Sequence, residues 1–320
     1  MAIVQCVPNI SEGRNLDIIE TIVEPLKNQN GFTLVSYEPD KDYNRTVITL
    51  IGEPQAMMKP LMKFIELAHQ HIDMRNHEGE HPRMGAVDVL PFIPIEGIDM
   101  DACVDYAKKL GNGVNERFNI PVFLYGNAAS TTKRKRLPNI RKGEFEGMKE
   151  KIKDPQWAPD YGQSAIDATF GVLAVGARLP LIAYNIDLDT DDIDIAKRIA
   201  RAIRGSSGGF KHVQAGPVYL QERGHVQVTM NILNYKQNPM YRVLEVVRME
   251  ALRDHVRVSS CEVVGLVPKA ALEQSLKYYL AKENLPTDLP SDLISLASMA
   301  TSLMGVRDFT KDKIIEAYVQ

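Results

Sequence analysis

The sequence predicts an α+β protein in which one βαββαβ order occurs twice. Apolar, β-prone runs alternate with segments of helical period in the same order before and after Arg178. Polar turns, residues 39–44 in the first half and 221–224 in the second, separate strands that read as neighbours. With 320 residues, 44% hydrophobic and 25% charged, the chain has a globular make-up and is long enough for two cores.

Taken in order, residues 2–10 are mostly apolar and read as a buried strand. From Leu16 a helix is expected, with Ile18, Ile19, Ile22, Val23 and Leu26 at near-helical spacing. Residues 32–37 and 46–51 are the next two strands. Pro54 opens a second helix, where its missing N–H costs nothing. Met58, Leu61, Met62, Ile65 and Ala68 should form that helix's buried face. Residues 87–95 close the unit as a strand. A helix over 100–117, weakened near its end by Gly111 and Gly113, and a strand over 122–125 follow as additions before a polar, loop-rich stretch. Residues 181–188 then start the order again. Thr190 is the expected cap of the next helix, with Asp191 and Asp192 in its first turn and Arg201 and Arg204 near its end. Strands over 213–220 and 226–233 precede a helix carrying Met240, Val243, Leu244, Val247 and Ala251 on one face. Residues 261–267 supply the last strand, ahead of a helical tail. The repeated order is that of the ferredoxin-like α/β sandwich. Two of them, 1–178 and 179–320, suggest a duplication with a ligand groove between the halves.

Several function classes fall away early. A net charge of −3, from 38 basic and 41 acidic side chains, offers no basic stripe for nucleic acid. No apolar run is long enough to cross a bilayer, and the first residues lack a secretion signal. Cys6, Cys103 and Cys261 are too few and too scattered for a disulfide framework or a cysteine metal site. A cytoplasmic setting is expected.

The densest polar cluster runs from His77 to Asp88, between a helix and a strand. His77 to His81 spells H-E-x-x-H, the zinc-protease pattern, which needs both histidines on one helical turn. Gly79 inside the motif and Pro82 after His81 oppose a helix there, so no metal is expected. A loop holding an imidazole, carboxylates and a guanidinium suits a small polar substrate instead. At the end of the first strand, Asn9, Ser11, Glu12 and Arg14 surround a Pro/Gly turn, and Ser11 or Asn15 could cap the next helix. Residues 133–136 form a basic run, a solvated loop or a weak attraction for a polyanionic tail. Residues 205–209 resemble a phosphate loop only loosely and read as a flexible connection.

These stretches carry a resemblance. CVPNISEGR (6–14), NRTV (44–47), GEHPRMGAVDVLPFIP (79–94), WAPDYG (157–162), GARLPLIAYNI (176–186) and VGLVPKAAL (264–272) resemble the glutamate formimidoyltransferase family, in the family's order through nearly the whole chain. The resemblance implies two ferredoxin-like subdomains with folate in the groove between them. It also implies the transferase part alone, without the cyclodeaminase to which the animal transferase is fused. The activity implied is transfer of a formimino group from N-formimino-L-glutamate to tetrahydrofolate, a step of histidine degradation and one-carbon metabolism. His81 is the implied catalytic residue, an acid–base group with a pKa near neutral. The implied folate-binding segment is Gly162, Gln163, Ser164, Ala165, Ile166, Asp167, Ala168, Thr169, Phe170 and Gly171; Gln163, Ile166, Asp167 and Phe170 depart from the animal pattern. In supporting roles, Glu80 or Asp88 would orient His81 or raise its pKa, and Arg83, Arg45 or Arg178 would clamp substrate carboxylates, with Asn9 nearby. A formyl donor, or folate binding without turnover, are the rival readings. Tetrahydrofolate is the expected co-substrate, and a homodimer the expected assembly.

Overall fold

In the computed structural model, which describes residues 1–319, the first apolar run forms two strands, β1 (Ile3–Cys6) and β2 (Asn9–Ile10), where one was expected. Pro8 lies in the break and has no N–H to give to a ladder. Asn15 caps α1 (Leu16–Val23), its side chain accepting the N–H groups of Asp17 and Ile18. β3 (Phe32–Asp40) and β4 (Arg45–Gly52) form an antiparallel hairpin. α2 (Pro54–His71) buries Met57, Leu61, Phe64, Ile65 and Ala68. Its stripe therefore turns toward Met57 and Phe64, leaving Met58 and Met62 only partly buried at its margin. β5 (Val87–Glu96) and α3 (Met100–Phe118) follow, and α3 runs uninterrupted through Gly111 and Gly113.

After β6 (Val122–Gly126), the stretch expected to be loop holds α4 (Leu137–Arg141), α5 (Glu144–Lys151) and β7 (Leu173–Ala177). Across the sheet the strands stand in the order β3, β4, the β1–β2 pair, β5, β7, β6. β7 is parallel to both β5 and β6 and wholly buried. On one face Ile19, Phe64, Leu110 and Val175 share a core. A second cluster joins Val89, Phe123 and Ala174 to Ile140 of α4 and Met148 of α5. α4 thus lies against the β5–β7–β6 end of the sheet, which brings its last residue, Arg141, toward the loop ahead of β5.

The second unit starts with β8 (Ile182–Leu188), α6 (Ile193–Ile203), β9 (Val213–Leu220) and β10 (His225–Ile232). α7 (Met240–Leu252) and β11 (Val258–Val264) complete a four-stranded antiparallel sheet in the order β11, β8, β10, β9. α8 (Lys269–Lys282) and α9 (Leu293–Met304) add to its core. Asp192, not Thr190, caps α6 by accepting the Asp194 N–H, while Thr190 accepts the N–H of Asp192 one step earlier. The last strand ends at Val264 because Gly265 takes a left-handed φ of 73°, and Val267 bridges to Ile314 instead. The stretch 205–209 is a tight turn with Ser207 Oγ donating to the Arg201 carbonyl. The chain divides after Arg178 into two compact units, each an α/β arrangement with its own sheet and core. Among the described residues no helix is long and apolar enough to cross a membrane.

Candidate active site

Four loops of the first unit are laced together at one end of its sheet. Asn44, at a left-handed φ of 47°, accepts the Gly13 N–H at 2.9 Å and donates to the Glu78 carbonyl at 2.8 Å. Ser11 Oγ donates to the Gly85 carbonyl at 2.8 Å, and its N–H reaches Ala86 O. Farther along, the Ala86 N–H meets Phe170 O and the Val172 N–H meets Met84 O. Glycine is needed where these loops touch. A Cβ on Gly79 would lie 2.4 Å from Tyr43 O, and one on Gly85 only 2.0 Å from Val172 O. The loops after β2, after β3, before β5 and before β7 therefore form one rigid frame around His81.

His77 belongs to that frame. Its Nε2 lies 2.9 Å from Asn44 O, an acceptor only, so Nε2 carries the proton and Nδ1 accepts from Arg83 Nε at 3.1 Å. Burial holds its pKa below the usual range, and the ring is neutral. Both ring nitrogens are committed inside the protein, and no helix covers the motif. Among the described residues no group of three or more His, Cys, Asp or Glu is placed to hold a metal ion.

Arg83, expected as a carboxylate clamp, is fully engaged. Every N–H of its guanidinium is taken by His77 Nδ1, His77 O, Glu144 and Glu146. Its side chain is 9% exposed, and it fixes the loop to the start of α5.

The other imidazole is different. Among the described residues His81 makes no hydrogen bond through its ring. Its pKa is pulled down to about 3, by burial first, then by the charges of Arg45 and Arg141 and the neighbouring His77 ring, against a smaller opposing pull from Asp40. The pKa of the ring among these groups is therefore below the near-neutral value expected. Nor is the expected carboxylate at its side. Glu80 is exposed, and only its backbone N–H is bonded, to Asp42 O. Asp88 is buried, accepting the Met84 N–H through Oδ1 and both Nε and Nη2 of Arg141 through Oδ2. Tyr43 completes the surroundings, its ring centroid 6.1 Å from that of His81 and beneath the Arg45 guanidinium. Among the described residues the buried Arg45 Nε has no hydrogen-bond partner. The arrangement is a neutral base set beside two guanidinium groups. It can accept a proton and hold an anion.

Arg141 was missed in the sequence. The signal available was LPNIR, with Pro138 in a first turn and Leu137 and Ile140 spaced to face a core. Asn9 is buried in β2 between Val47 and Val89, its amide donating to Val7 O at 3.1 Å. Arg178 ends the first unit with its N–H on Phe92 O, and its charge reaches Cys6 and Tyr125. Within the 162–171 segment the roles divide. Asp167 accepts from the Thr169 and Phe170 N–H groups and lies 3.3 Å from His69 Nε2; Phe170 and Gly171 are buried. Gly162, Gln163, Ser164, Ala165 and Ala168 are exposed and Ile166 is half-buried. Of the basic run, Arg134 is buried on Asp160 and the carbonyls of Gln156 and Ala158, so it is not solvated.

Comparison with known proteins gives one family in both halves of the chain. Residues 3–178 match the family described as formiminotransferase domain, N-terminal subdomain, and residues 183–320 match the formiminotransferase domain. The chain is 46% identical over 282 residues to glutamate formimidoyltransferase of Streptococcus pyogenes serotype M1, covering 88% of this chain and 94% of that one. It is 42% identical to glutamate formimidoyltransferase of Thermoplasma acidophilum, covering 88% and 93%. Against the rat formimidoyltransferase-cyclodeaminase it is 39% identical, covering 99% of this chain and 60% of the longer protein.

Proposed function

This chain belongs to the formiminotransferase family, and from that premise we propose that it is a glutamate formimidoyltransferase. It moves the formimino group of N-formimino-L-glutamate to N5 of tetrahydrofolate and releases L-glutamate and 5-formimino-tetrahydrofolate, a step of histidine degradation. The observation that carries the mechanism is the unbonded, neutral imidazole of His81 beside Arg45 and Arg141.

N5 of tetrahydrofolate attacks the formimino carbon, forming the N5–C bond. His81, already unprotonated, takes the proton that N5 must lose. The C–N bond to glutamate then breaks, and the same proton passes to the departing nitrogen, a poor leaving group without it. The carboxylates of the donor are held by guanidinium groups, of which Arg45 has an unused buried N–H. Asp88 acts on the site through Arg141 rather than through His81, and Arg83 through the loop it fixes. Folate contacts in the 162–171 segment fall to Gly162, Gln163, Ser164, Ala165, Ile166 and Ala168, since Asp167, Thr169, Phe170 and Gly171 shape the turn itself. Strand order supports the ferredoxin-like reading: β11, β8, β10, β9 in the second unit, and β5, the β1–β2 pair, β4, β3 in the first. A folate site needing both subdomains, a homodimer and a cytoplasmic setting complete the reading, and sequence resemblance supports them.

The test is direct. Protein incubated with tetrahydrofolate and N-formimino-L-glutamate should form 5-formimino-tetrahydrofolate, followed by absorbance, with N-formyl-L-glutamate as the control donor. His81→Ala should lower kcat by about 10² to 10⁴ with KM for both substrates little changed. Turnover of the formyl donor alone would overturn the assignment, and near-wild-type turnover by His81→Ala would overturn the mechanism.

A further inference from the structure

We propose that Arg141, paired with Arg45, is the seat of the donor's α-carboxylate, and that filling this seat is what makes His81 competent to carry the proton. The inference rests on the transferase reading above.

The geometry singles out Arg141. Its Nε and Nη2 both donate to one oxygen of Asp88, while among the described residues Nη1 has no hydrogen-bond partner. The side chain is 17% exposed, so the unused edge is neither sealed in the core nor free to wander. Two devices aim it. Asp88, held in turn by the Met84 N–H at 2.9 Å, fixes the head of the side chain. Lys151 fixes the helix beneath, its ammonium donating to the carbonyls of Asn139, Ile140 and Lys142 at 2.6, 2.6 and 2.9 Å. Across the site, Arg45 Nε is buried and unsatisfied, a donor that a carboxylate would complete. Arg83 cannot serve, because its N–H groups are already taken.

The choice of carboxylate follows from the reaction. The nitrogen that must be protonated is bonded to the α-carbon, so the α-carboxylate lies next to the group that His81 serves. Arg45, reached from His81 through the Tyr43 ring, and Arg141, held on Asp88 beside the His81 loop, would meet that carboxylate before the distal one.

The coupling follows from charge. The Tyr43 ring lies 6.1 Å from that of His81, with the Arg45 guanidinium 5.5 Å from the Tyr43 ring. The groups whose electrostatic influence reaches His81 are Arg45 from β4, Arg141 from α4, His77 from its own loop and Asp40 from β3. Two of them are permanent cations, and they help to keep the imidazole unprotonated. A carboxylate seated on them cancels their field, and the imidazole can then hold a proton between its two transfers.

The test uses the whole protein, tetrahydrofolate, and two donors: N-formimino-L-glutamate and 4-(formimino)aminobutyrate, which lacks only the α-carboxylate. For the wild type, losing that carboxylate should raise KM about 10- to 100-fold, as for a lost charge-assisted contact. For Arg141→Met the two donors should become alike within about threefold, while KM for tetrahydrofolate stays unchanged. Because Arg141→Met leaves Asp88 buried without its cation, Asp88→Asn/Arg141→Met is run beside it, with circular dichroism to confirm folding. Histidine ring NMR gives a second readout. Saturating glutamate should move the His81 titration upward in the wild type and leave it in place in both variants. Undiminished discrimination against the shorter donor in the variants, or no glutamate-induced shift in the wild type, overturns the inference. A wild type that turns over neither donor would instead overturn the transferase reading, and this inference with it.

Discussion

Burial and two neighbouring guanidinium groups keep the His81 ring unprotonated far into acid, and this has a cost for stability. Its folded pKa of about 3 lies below the ordinary value for histidine. Between these two values the unfolded chain binds the proton and the folded protein does not. The contribution of this residue to stability is therefore complete above about pH 6.5 and is lost as pH falls toward 3. His81→Ala removes the linkage, so between about pH 7 and pH 4 the variant should lose less stability than the wild type in urea titrations. Equal losses would show that the ring is not held neutral by the fold. The setting of His81 was legible, because Gly79 and Pro82 in a polar run mark a loop and not a helix. Which arginine keeps a donor free of protein partners was not. Arg83 stands two residues from His81 and looks available in the sequence, yet Glu144 and Glu146, which occupy it, lie 61 and 63 positions away. Arg141 was hidden for the converse reason: its partner Asp88 is 53 positions distant, and only the packing of α4 on the sheet brings the two together.

The loops that frame the site depend on a single left-handed turn between β3 and β4. Asn44 there satisfies one N–H from the loop after β2 and one carbonyl from the His81 loop. Asn44→Ala removes both bonds and leaves at φ 47° a residue without the short polar side chain that lets asparagine tolerate this region. Asn44→Gly removes the same bonds without the steric penalty, about 1 to 2 kcal/mol for an ordinary residue. Both variants should melt below the wild type, and Asn44→Ala below Asn44→Gly. The reverse order in thermal denaturation would mean that the turn is not held in this conformation. Because the frame also seats His81, kcat should fall in both. Strands and helices with one apolar face were readable here to within a few residues, since their periods are short and local. The exceptions share a cause. β7 is buried between two parallel neighbours, so its residues do not alternate, and Gly171 ahead of it and Gly176 within it read as turn formers. In α2, Phe64 could not be preferred to Met62 for the core without knowing the sheet it packs on.

At the scale of the chain, two units with separate sheets and separate cores should behave as two folding units. The doubled βαββαβ order made this division legible, because strand and helix periods repeat even where residues do not. Residues 1–178 and 179–320 expressed separately should each melt in its own cooperative transition. Activity should not divide in the same way. His81, Arg45 and Arg141 all lie in the first unit, and a chemical centre confined there would turn over without the second. The family match nonetheless extends over residues 183–320, and VGLVPKAAL lies wholly within that half. Substrate binding therefore should draw on both. The first half alone is expected to keep the acid behaviour of His81 yet show no measurable turnover, and mixing the halves should restore turnover in proportion to the second half added. Wild-type kcat and KM from residues 1–178 alone would refute the need for both. Failure of the mixture despite two folded halves would place the requirement in the covalent join at Arg178, and a tandem protein carrying a short flexible insert after that residue would then measure how tightly the join must be held.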